Sequence, residues 1–167
     1  IHFRVSGRKL SKVMVVGANA MGRELTRDLV AAGVKVKLID RSEEKCRRAS
    51  EQLRGALVLH GEGTDADLLE SEGVGEMDGF VSVSLDEETN TMACLLAHYH
   101  GAQKTVCLVN RPDYIPLLPL LGVDAVVSPR QSTSAWIARF VKRGAVISSE
   151  SLGYSGSEIL QRLAEEK

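Results

Sequence analysis

Three residues near the start of the chain have the types and the spacing of a phosphate- and ribose-binding site. Gly17 and Gly22 stand five positions apart with small or medium side chains between them, and Asp40 follows Gly17 by 23 positions. A glycine turn that begins a helix offers backbone N–H groups to a pyrophosphate at the helix's positive end. An acid after the next strand accepts hydrogen bonds from ribose hydroxyls. The predicted phosphate turn consists of Gly17, Ala18, Asn19, Ala20, Met21 and Gly22.

Asn19 stands where the dinucleotide pattern G-x-G-x-x-G has its central glycine, which lets the backbone approach the phosphates. Asparagine tolerates left-handed backbone angles better than most residues, so the turn can still form. Its side chain would either crowd the pyrophosphate or donate a hydrogen bond to it. Two interpretations stay open at this point: a working nucleotide site, or a turn of the same shape that binds nothing.

The elements that position these residues follow from the spacing of apolar side chains. Residues 13–16 form a short β-branched run, typical of a strand buried on both faces. The next helix is predicted by apolar residues three or four positions apart, namely Met21, Leu25, Leu29 and Ala32. Gly33 ends this helix, and residues 36–39 predict a second strand. Strand, glycine turn, helix, strand and acid together make a dinucleotide-binding βαβ unit.

The rest of the chain alternates short apolar runs with helical patterns. Further strands are predicted at residues 56–59, 80–84, 105–109 and 125–127. Helices are predicted from Ser42 to about Leu53, after a cap at Thr64, from the loop 86–90 onward, and over 131–143. The three prolines in the segment 112–122 predict a short, bent helix there.

This alternation predicts an α/β fold, specifically a doubly wound Rossmann fold. Its six-stranded parallel sheet has the order 3-2-1-4-5-6, with helices on both faces. Ligands of such sheets bind beyond the carboxyl ends of the strands. Those ends carry the most polar and glycine-rich residues of the chain, at 17–21, 40, 61–64, 84–90 and 110–111. Topology and composition therefore predict the same site.

The bulk properties exclude several classes of function. A net charge of −1 with mixed signs argues against a nucleic-acid-binding surface, and no apolar run has the length of a membrane span. Cys46, Cys94 and Cys107 form no C-x-x-C pair, and the last two lie in apolar runs, so we expect reduced, structural cysteines. The histidines lack metal spacing, so no metal site and no catalytic residue is predicted.

Domain boundaries are predicted from the same patterns. The chain begins at Ile1 with a polar lead-in, so residues 1–11 are interpreted as a linker from a preceding domain. Residues 12–145 form the predicted Rossmann domain. Residues 146–167 are interpreted as a tail toward a missing C-terminal domain, with a charged helix over 159–167.

Five segments that follow in order across residues 12–130 carry a resemblance to a known family. They read VMVVGANAMGRELTRDL, VKLIDRSEEK, HGEGTDADLLESEGV, VSLDEETNTMACLLA and RPDYIPLL. The chain resembles the RCK/KTN nucleotide-binding domains that regulate potassium transport and conductance. More narrowly, it resembles the TrkA-type domain in the peripheral subunits of bacterial Trk potassium uptake systems, and the second of the two domains that such subunits can contain.

The resemblance implies a regulatory domain and not an enzyme. Bound NAD or NADH, or in relatives ATP or ADP, would shift a ring of paired, homo-oligomeric domains and gate an integral membrane potassium transporter subunit. Such a domain is cytoplasmic and peripheral on the inner face of the cell membrane through its partner, without inserting itself. Carried over by motif, the site residues are the phosphate turn, Asp40 with the adjacent Arg41, the adenine-side loop Gly63 and Thr64, and the strand end Ser84 and Leu85.

Two other functions remain alternatives. A fragment of an NAD-dependent dehydrogenase would need a substrate domain and a general base, and the strand ends show no placed His, Lys or Tyr. A scaffold with a decayed nucleotide site is suggested by Asn19. The apolar stripe that would then matter most consists of Trp136, Ile137, Phe140 and Val141, which serves either as a dimer contact or as packing on its own sheet.

Overall fold

The fold is seen in a computed structural model, which describes residues 4–5, 8–134, 146–152 and 157–162. The chain divides between Val127 and Ser128 into two units. A short antiparallel hairpin, β1 (Arg4–Val5) and β2 (Arg8–Lys9), precedes the main sheet of the first unit. Residues 135–145 lie outside the described part, so the boundary expected at 145 stays a prediction.

The first unit is built on a six-stranded parallel sheet, as the sequence predicts. Its strands are β3 (Lys12–Val16), β4 (Lys35–Asp40), β5 (Ala56–His60), β6 (Gly79–Ser82), β7 (Thr105–Leu108) and β8 (Ala125–Val127). They lie in the order β5-β4-β3-β6-β7-β8, and every neighbouring pair is parallel. Numbered from β3, this is the order 3-2-1-4-5-6. The carboxyl ends of all six strands therefore share one edge.

Four α-helices connect these strands: α1 (Ala20–Ala31), α2 (Glu43–Gln52), α3 (Ala66–Ser71) and α4 (Glu87–Tyr99). Short 3₁₀-helices occupy Val74–Glu76, Pro112–Tyr114 and Leu118–Leu121. The prolines explain the last two. Each proline beyond a first helical position removes a backbone donor and clashes with the preceding turn, so one continuous α-helix cannot form.

The core lies on both faces of the sheet, and β3 shows how the sequence produces it. Successive side chains of a strand point to opposite faces. Val13 and Val15 accordingly pack in a buried cluster with Leu29 of α1. Met14 and Val16 belong to a second buried cluster, which also contains residues of α3 and α4 and the two cysteines Cys94 and Cys107. A continuous apolar run is what a strand covered on both sides requires.

The cap of α3 differs from the expected one. The sequence pattern placed Thr64 at the cap, but the capping residue is Asp65, whose Oδ1 accepts hydrogen bonds from the N–H groups of Asp67 at 3.1 Å and Leu68 at 3.2 Å. A carboxylate oxygen satisfies two of the unpaired donors at once, and both the end of β5 and the cap of α3 lie one residue later than expected.

The second unit contains helical residues 129–134 and an antiparallel pair of strands, β9 (Val146–Leu152) and β10 (Ser157–Arg162). The prediction of a helix over 159–167 is therefore wrong for residues 159–162, because residues 157–162 form a strand. Pairing with β9 supplies hydrogen-bond partners to this short segment, whereas an isolated helix of that length is marginal in water. The helix expected over 131–143 is confirmed for 131–134. The stripe at Trp136, Ile137, Phe140 and Val141 lies outside the described residues.

The carboxyl ends of β6 and β7 are held together by one buried amide, that of Asn90 in the first turns of α4. Its Oδ1 accepts hydrogen bonds from Ser82 Oγ at 2.9 Å and Ser84 N at 2.8 Å. Its Nδ2 donates to the carbonyl oxygens of Ser84 and Leu108, each at 3.0 Å. Every donor and two acceptor positions of this amide are thus used, which fixes the loop after β6 against the sheet.

We expect the substitution Asn90→Ala to lower the free energy of unfolding by about 3 kcal/mol, because it leaves several buried polar groups without partners. Chemical denaturation monitored by circular dichroism measures this change. Met92→Ala is the matched control, since Met92 lies on the same helix and is half exposed; a change within about 0.5 kcal/mol is expected there. Equal stability of Asn90→Ala and the wild type would contradict the role of this amide.

Candidate functional site

A pocket of about 280 Å³ opens at the carboxyl edge of the sheet, beyond the ends of β3, β4, β5 and β6. Seven of the residues predicted for the site line it: Gly17, Asn19, Asp40, Arg41, Gly63, Ser84 and Leu85. The pocket therefore lies where the strand order and the polar strand ends predict a ligand. The end of β7, with Asn110 and Arg111, was expected at the same site but does not line the pocket.

The other predicted site residues lie beside the pocket and do not line it. Ala18 is buried and Gly22 packs inside the turn, whereas Ala20 and Met21 are exposed at the start of α1. Thr64 is half-buried in the loop before α3. The contribution of Ala20 and Met21 is their backbone: in the described chain neither N–H has an acceptor, and both belong to the first turn of a helix. Such N–H groups are the ones that bind a phosphate oxygen.

Gly17 and Gly22 are required by close backbone contacts. Gly17 has a φ of 108°, in the left-handed region, and a Cβ on it would lie 2.8 Å from the backbone N of Ser84. A Cβ on Gly22 would lie 1.8 Å from the carbonyl oxygen of Gly17. Both positions exclude any larger residue. The sharp turn and the close approach of α1 that the sequence predicted are therefore present.

Asn19, the departure from the glycine pattern, is the N-cap of α1. Its backbone is extended, with φ −71° and ψ −176°, so no left-handed conformation is needed. The side-chain Oδ1 accepts a hydrogen bond from Gly22 N at 3.0 Å, while Nδ2 donates to the carbonyl oxygen of Val83 at 2.6 Å. This pair of hydrogen bonds, called the Asn19 bridge below, joins the start of α1 to the end of β6.

Asp40 at the end of β4 is 7% exposed and holds the turn in place. Its Oδ2 accepts a hydrogen bond from Ala18 N at 2.7 Å, and its Oδ1 accepts one from Ser42 N at 2.9 Å. A carboxylate has about four acceptor positions, so about two remain for a ligand. The acid predicted to bind ribose therefore also has a structural role, which sequence spacing alone does not reveal.

Gly63 forms the floor of the pocket on the β5 side. A Cβ there would lie 2.4 Å from Cγ1 of Val16, so the loop backbone rests directly on the end of β3. Only glycine permits this contact. A flat strip of backbone beside an apolar side chain is suited to one face of an aromatic ring.

The pocket has charged groups of both signs. Arg41 is exposed, and Lys45 Nζ lies 3.8 Å from Asp40 Oδ2. Asp86 caps α4, and hydrogen bonds from the backbone and then the side chain of Thr89, with a smaller contribution from Arg41, hold the pKa of Asp86 below its ordinary value. Asp86 thus stays ionised. The two cations lie at the β4 end of the pocket, where a phosphate chain can reach them.

Sequence reasoning missed Lys45, and it included Glu62, Asp86 and Thr89 only within the strand-end segments 61–64 and 84–90, without naming them as site residues. Lys45 lies in a charged run of α2, a pattern typical of a solvated helix face. The signal that could have placed it is the cap at Ser42, which puts Lys45 in the first turn, directly over the carboxyl edge of the sheet. Asp86 likewise precedes α4 as its cap. First-turn residues of α2 and α4 therefore line the pocket as well.

Comparison with known families gives a match along most of the chain. A sequence model of the TrkA-N domain matches residues 13–129. The Trk system potassium uptake protein TrkA of Halomonas elongata is 32% identical over 157 residues, which cover 94% of this chain and 34% of that protein. The chain thus spans about a third of the length of this curated relative.

Solved structures share the fold at lower identity. The NAD(P)-binding domain of an exopolyphosphatase-related protein from Archaeoglobus fulgidus has a TM-score of 0.69 and 22% identity, covering 78% of this chain and 97% of that domain. The GsuK channel bound to NAD has a TM-score of 0.67 and 19% identity, covering 91% of this chain and 27% of that one. Identities this low establish the architecture alone.

We expect Asp40→Asn to lower the free energy of unfolding by about 2 kcal/mol. The amide replaces one acceptor oxygen by an NH₂ group, which would face either Ala18 N–H or Ser42 N–H without an acceptor. Thermal and chemical denaturation measure the loss. Asp86→Asn is the matched control, because asparagine caps a helix about as well as aspartate. If the two variants unfolded at the same denaturant concentration, the structural role of Asp40 would be wrong.

Proposed function

This chain belongs to the TrkA-N domain family, and we propose that it is a ligand-sensing regulatory domain of a potassium uptake or transport system. The ligand is an adenine nucleotide, NAD or NADH or else ATP or ADP. It binds in the pocket at the carboxyl edge of the sheet. The observation that carries the proposal is that the glycine turn, the acid Asp40 and the cations Arg41 and Lys45 meet in this one pocket.

Each part of a nucleotide finds a suitable group there. The N–H groups of Ala20 and Met21 and the side chains of Arg41 and Lys45 suit the phosphates. The remaining acceptor positions of Asp40 suit the ribose hydroxyls. The base lies along the Gly63 backbone on the β5 side. This arrangement supports the site assigned by the family resemblance, with Lys45 added and Thr64 left out.

Regulation needs no chemistry on the nucleotide. A ligand that binds one arrangement of packed domains more tightly shifts the assembly by that difference in affinity. We propose that copies of this domain pair and build a ring, and that the ring acts on an integral membrane potassium transporter subunit. The domain would then lie in the cytoplasm, at the inner face of the membrane. Among the described residues, no helix is long and apolar enough to cross a membrane.

A nucleotide-independent scaffold is the second candidate, and one observation favours it. The Asn19 side chain is already engaged with Gly22 and Val83, so it is not directed at a ligand. A dehydrogenase fragment has less support. Lys45 does line the pocket, contrary to the expectation of no placed lysine, but it lies beside Asp40 on the ribose side, away from the reactive end of a dinucleotide.

We expect at least one of NAD, NADH, ATP and ADP to stabilise the protein against heat. A ligand at 100 times its Kd adds about 2.7 kcal/mol to the free energy of unfolding. Thermal shift and calorimetry with each nucleotide measure this effect. In the same assay Lys45→Ala should weaken binding about ten-fold, because it removes a cation from the phosphates.

Arg47→Ala is the matched control for that experiment. It removes the same charge from the same helix, at an exposed position that does not line the pocket. The affinity of Arg47→Ala for each nucleotide should match that of the wild type. Absence of stabilisation by any of the four nucleotides at millimolar concentration would exclude the sensor and leave the scaffold.

We also expect a 2′-phosphate on the adenosine ribose to weaken binding roughly ten-fold or more, because Asp40 repels it. NADP is compared with NAD, and adenosine 2′,5′-bisphosphate with AMP, by calorimetry. Arg41 opposes this repulsion, since a guanidinium pairs with phosphate. Arg41→Ala should therefore increase the discrimination. Equal affinity of the wild type for both members of each pair would show that Asp40 does not face the ribose.

A further inference from the structure

We infer that the Asn19 bridge restricts the pocket to ligands with one nucleoside, such as AMP, ADP or ATP, and disfavours dinucleotides. This inference rests on the proposed function and makes it more specific. The reasons are the position of the bridge, the covered end of β7 beyond it, and the cations that line the pocket after β4.

The bridge lies across the path that a dinucleotide takes. In doubly wound sheets a dinucleotide crosses the crevice between the first and fourth strands, where the strand order reverses. Those strands are β3 and β6 here. The Asn19 side chain runs from the start of α1, just after β3, to the Val83 carbonyl, just after β6. It therefore occupies the crossing that a central glycine leaves open.

The backbone at this crossing is also tightly packed. The space beside Gly17 is so limited that a Cβ would meet both N and Cα of Ser84 within 2.9 Å. The turn after β3 and the segment after β6 are thus in contact along their main chains. The Asn19 side chain lines the pocket at this point, so a pyrophosphate that crosses here meets the Asn19 bridge.

The sheet edge beyond β6 is covered by its own interactions. The Asn90 amide joins the ends of β6 and β7, as described above. Arg111 N donates to Glu87 Oε2 at 3.2 Å, and Arg111 Nη1 lies 3.7 Å from Glu88 Oε1. These contacts tie the end of β7 to the first turn of α4. Consistent with this, residues of the β7 end do not line the pocket. Beyond β6 the pocket follows only the segment from Ser84 to Thr89 and does not reach the end of β7, toward which the second nucleoside of a dinucleotide would extend.

The part of the pocket beside β4 and β5 offers groups that bind one nucleoside and its phosphates. The two cations, Arg41 and Lys45, follow the end of β4 and line the pocket, and the Ala20 and Met21 N–H groups begin α1 next to Asn19. The pocket volume of about 280 Å³ is at the lower end of the range for small-molecule sites, which is about 300–1,000 Å³. A 5′-phosphate chain can use these groups without crossing the crevice.

The test is calorimetry of the whole chain with AMP, ADP, ATP and NAD, in the wild type and in two variants. Asn19→Gly removes the bridge and keeps a residue accepted at an N-cap. Asn19→Ser keeps a capping oxygen but lacks the amide that reaches Val83. Circular dichroism and melting curves establish that each variant is folded, and Asn19→Ser serves if Asn19→Gly does not fold.

We expect the wild type to bind ADP or ATP at least about ten-fold more tightly than NAD. In both variants the ratio of NAD affinity to ADP affinity should rise about ten-fold, whatever the loss of the cap does to both ligands alike. Equal binding of NAD and ADP by the wild type, or no gain for NAD in either folded variant, would overturn the inference and leave the proposed function standing. Failure of all four ligands to bind the wild type would overturn both.

Discussion

The close approach of α1 to the turn after β3 is the constraint on which the rest of the site depends. A helix can begin this near to a strand only because Gly22 presents no Cβ to the Gly17 carbonyl, a contact that would be 1.8 Å. Once α1 is fixed there, its first N–H groups point toward the carboxyl edge, and Asn19 is brought within reach of β6. Asp40 secures the arrangement from the other side through Ala18 N–H. The pocket is a consequence of this packing.

The fold was predictable because its signals are local and repeated. Apolar runs of strand length, glycines at turns and caps such as Ser42 each specify one element, and the right-handed crossover rule then orders the strands. The predictions that were wrong concern competition between neighbours. Thr64 and Asp65 are both capping residues, and which one caps α3 depends on the length of the preceding loop. Residues 157–162 have a mixed pattern, and their strand depends on pairing with β9.

The candidate site was predictable in position and less so in detail. The glycines and Asp40 could be placed because their spacing reflects a known geometry. Asn19 could not be interpreted, because its partner Val83 lies 64 positions away and hydrogen-bond partners at that distance depend on the folded backbone. The same holds for the hydrogen bonds that Asp40 accepts from Ala18 and Ser42. Lys45 was missed because a charged residue in a charged run is most simply assigned to solvent, and only the helix direction places it over the sheet edge.

The Asn90 amide has a mechanical consequence for the molecule. It clamps the segment at Ser84, which lines the pocket, to the first turns of α4 and to the end of β7. A displacement at Ser84 therefore cannot be absorbed locally, since the amide would lose buried hydrogen bonds. If such a displacement turns the start of α4, the helix would follow as a rod about 20 Å long. The far end of that rod carries Tyr99, a highly exposed aromatic residue. A rotation at the start of α4 would therefore move the surface at Tyr99 further than it moves Ser84.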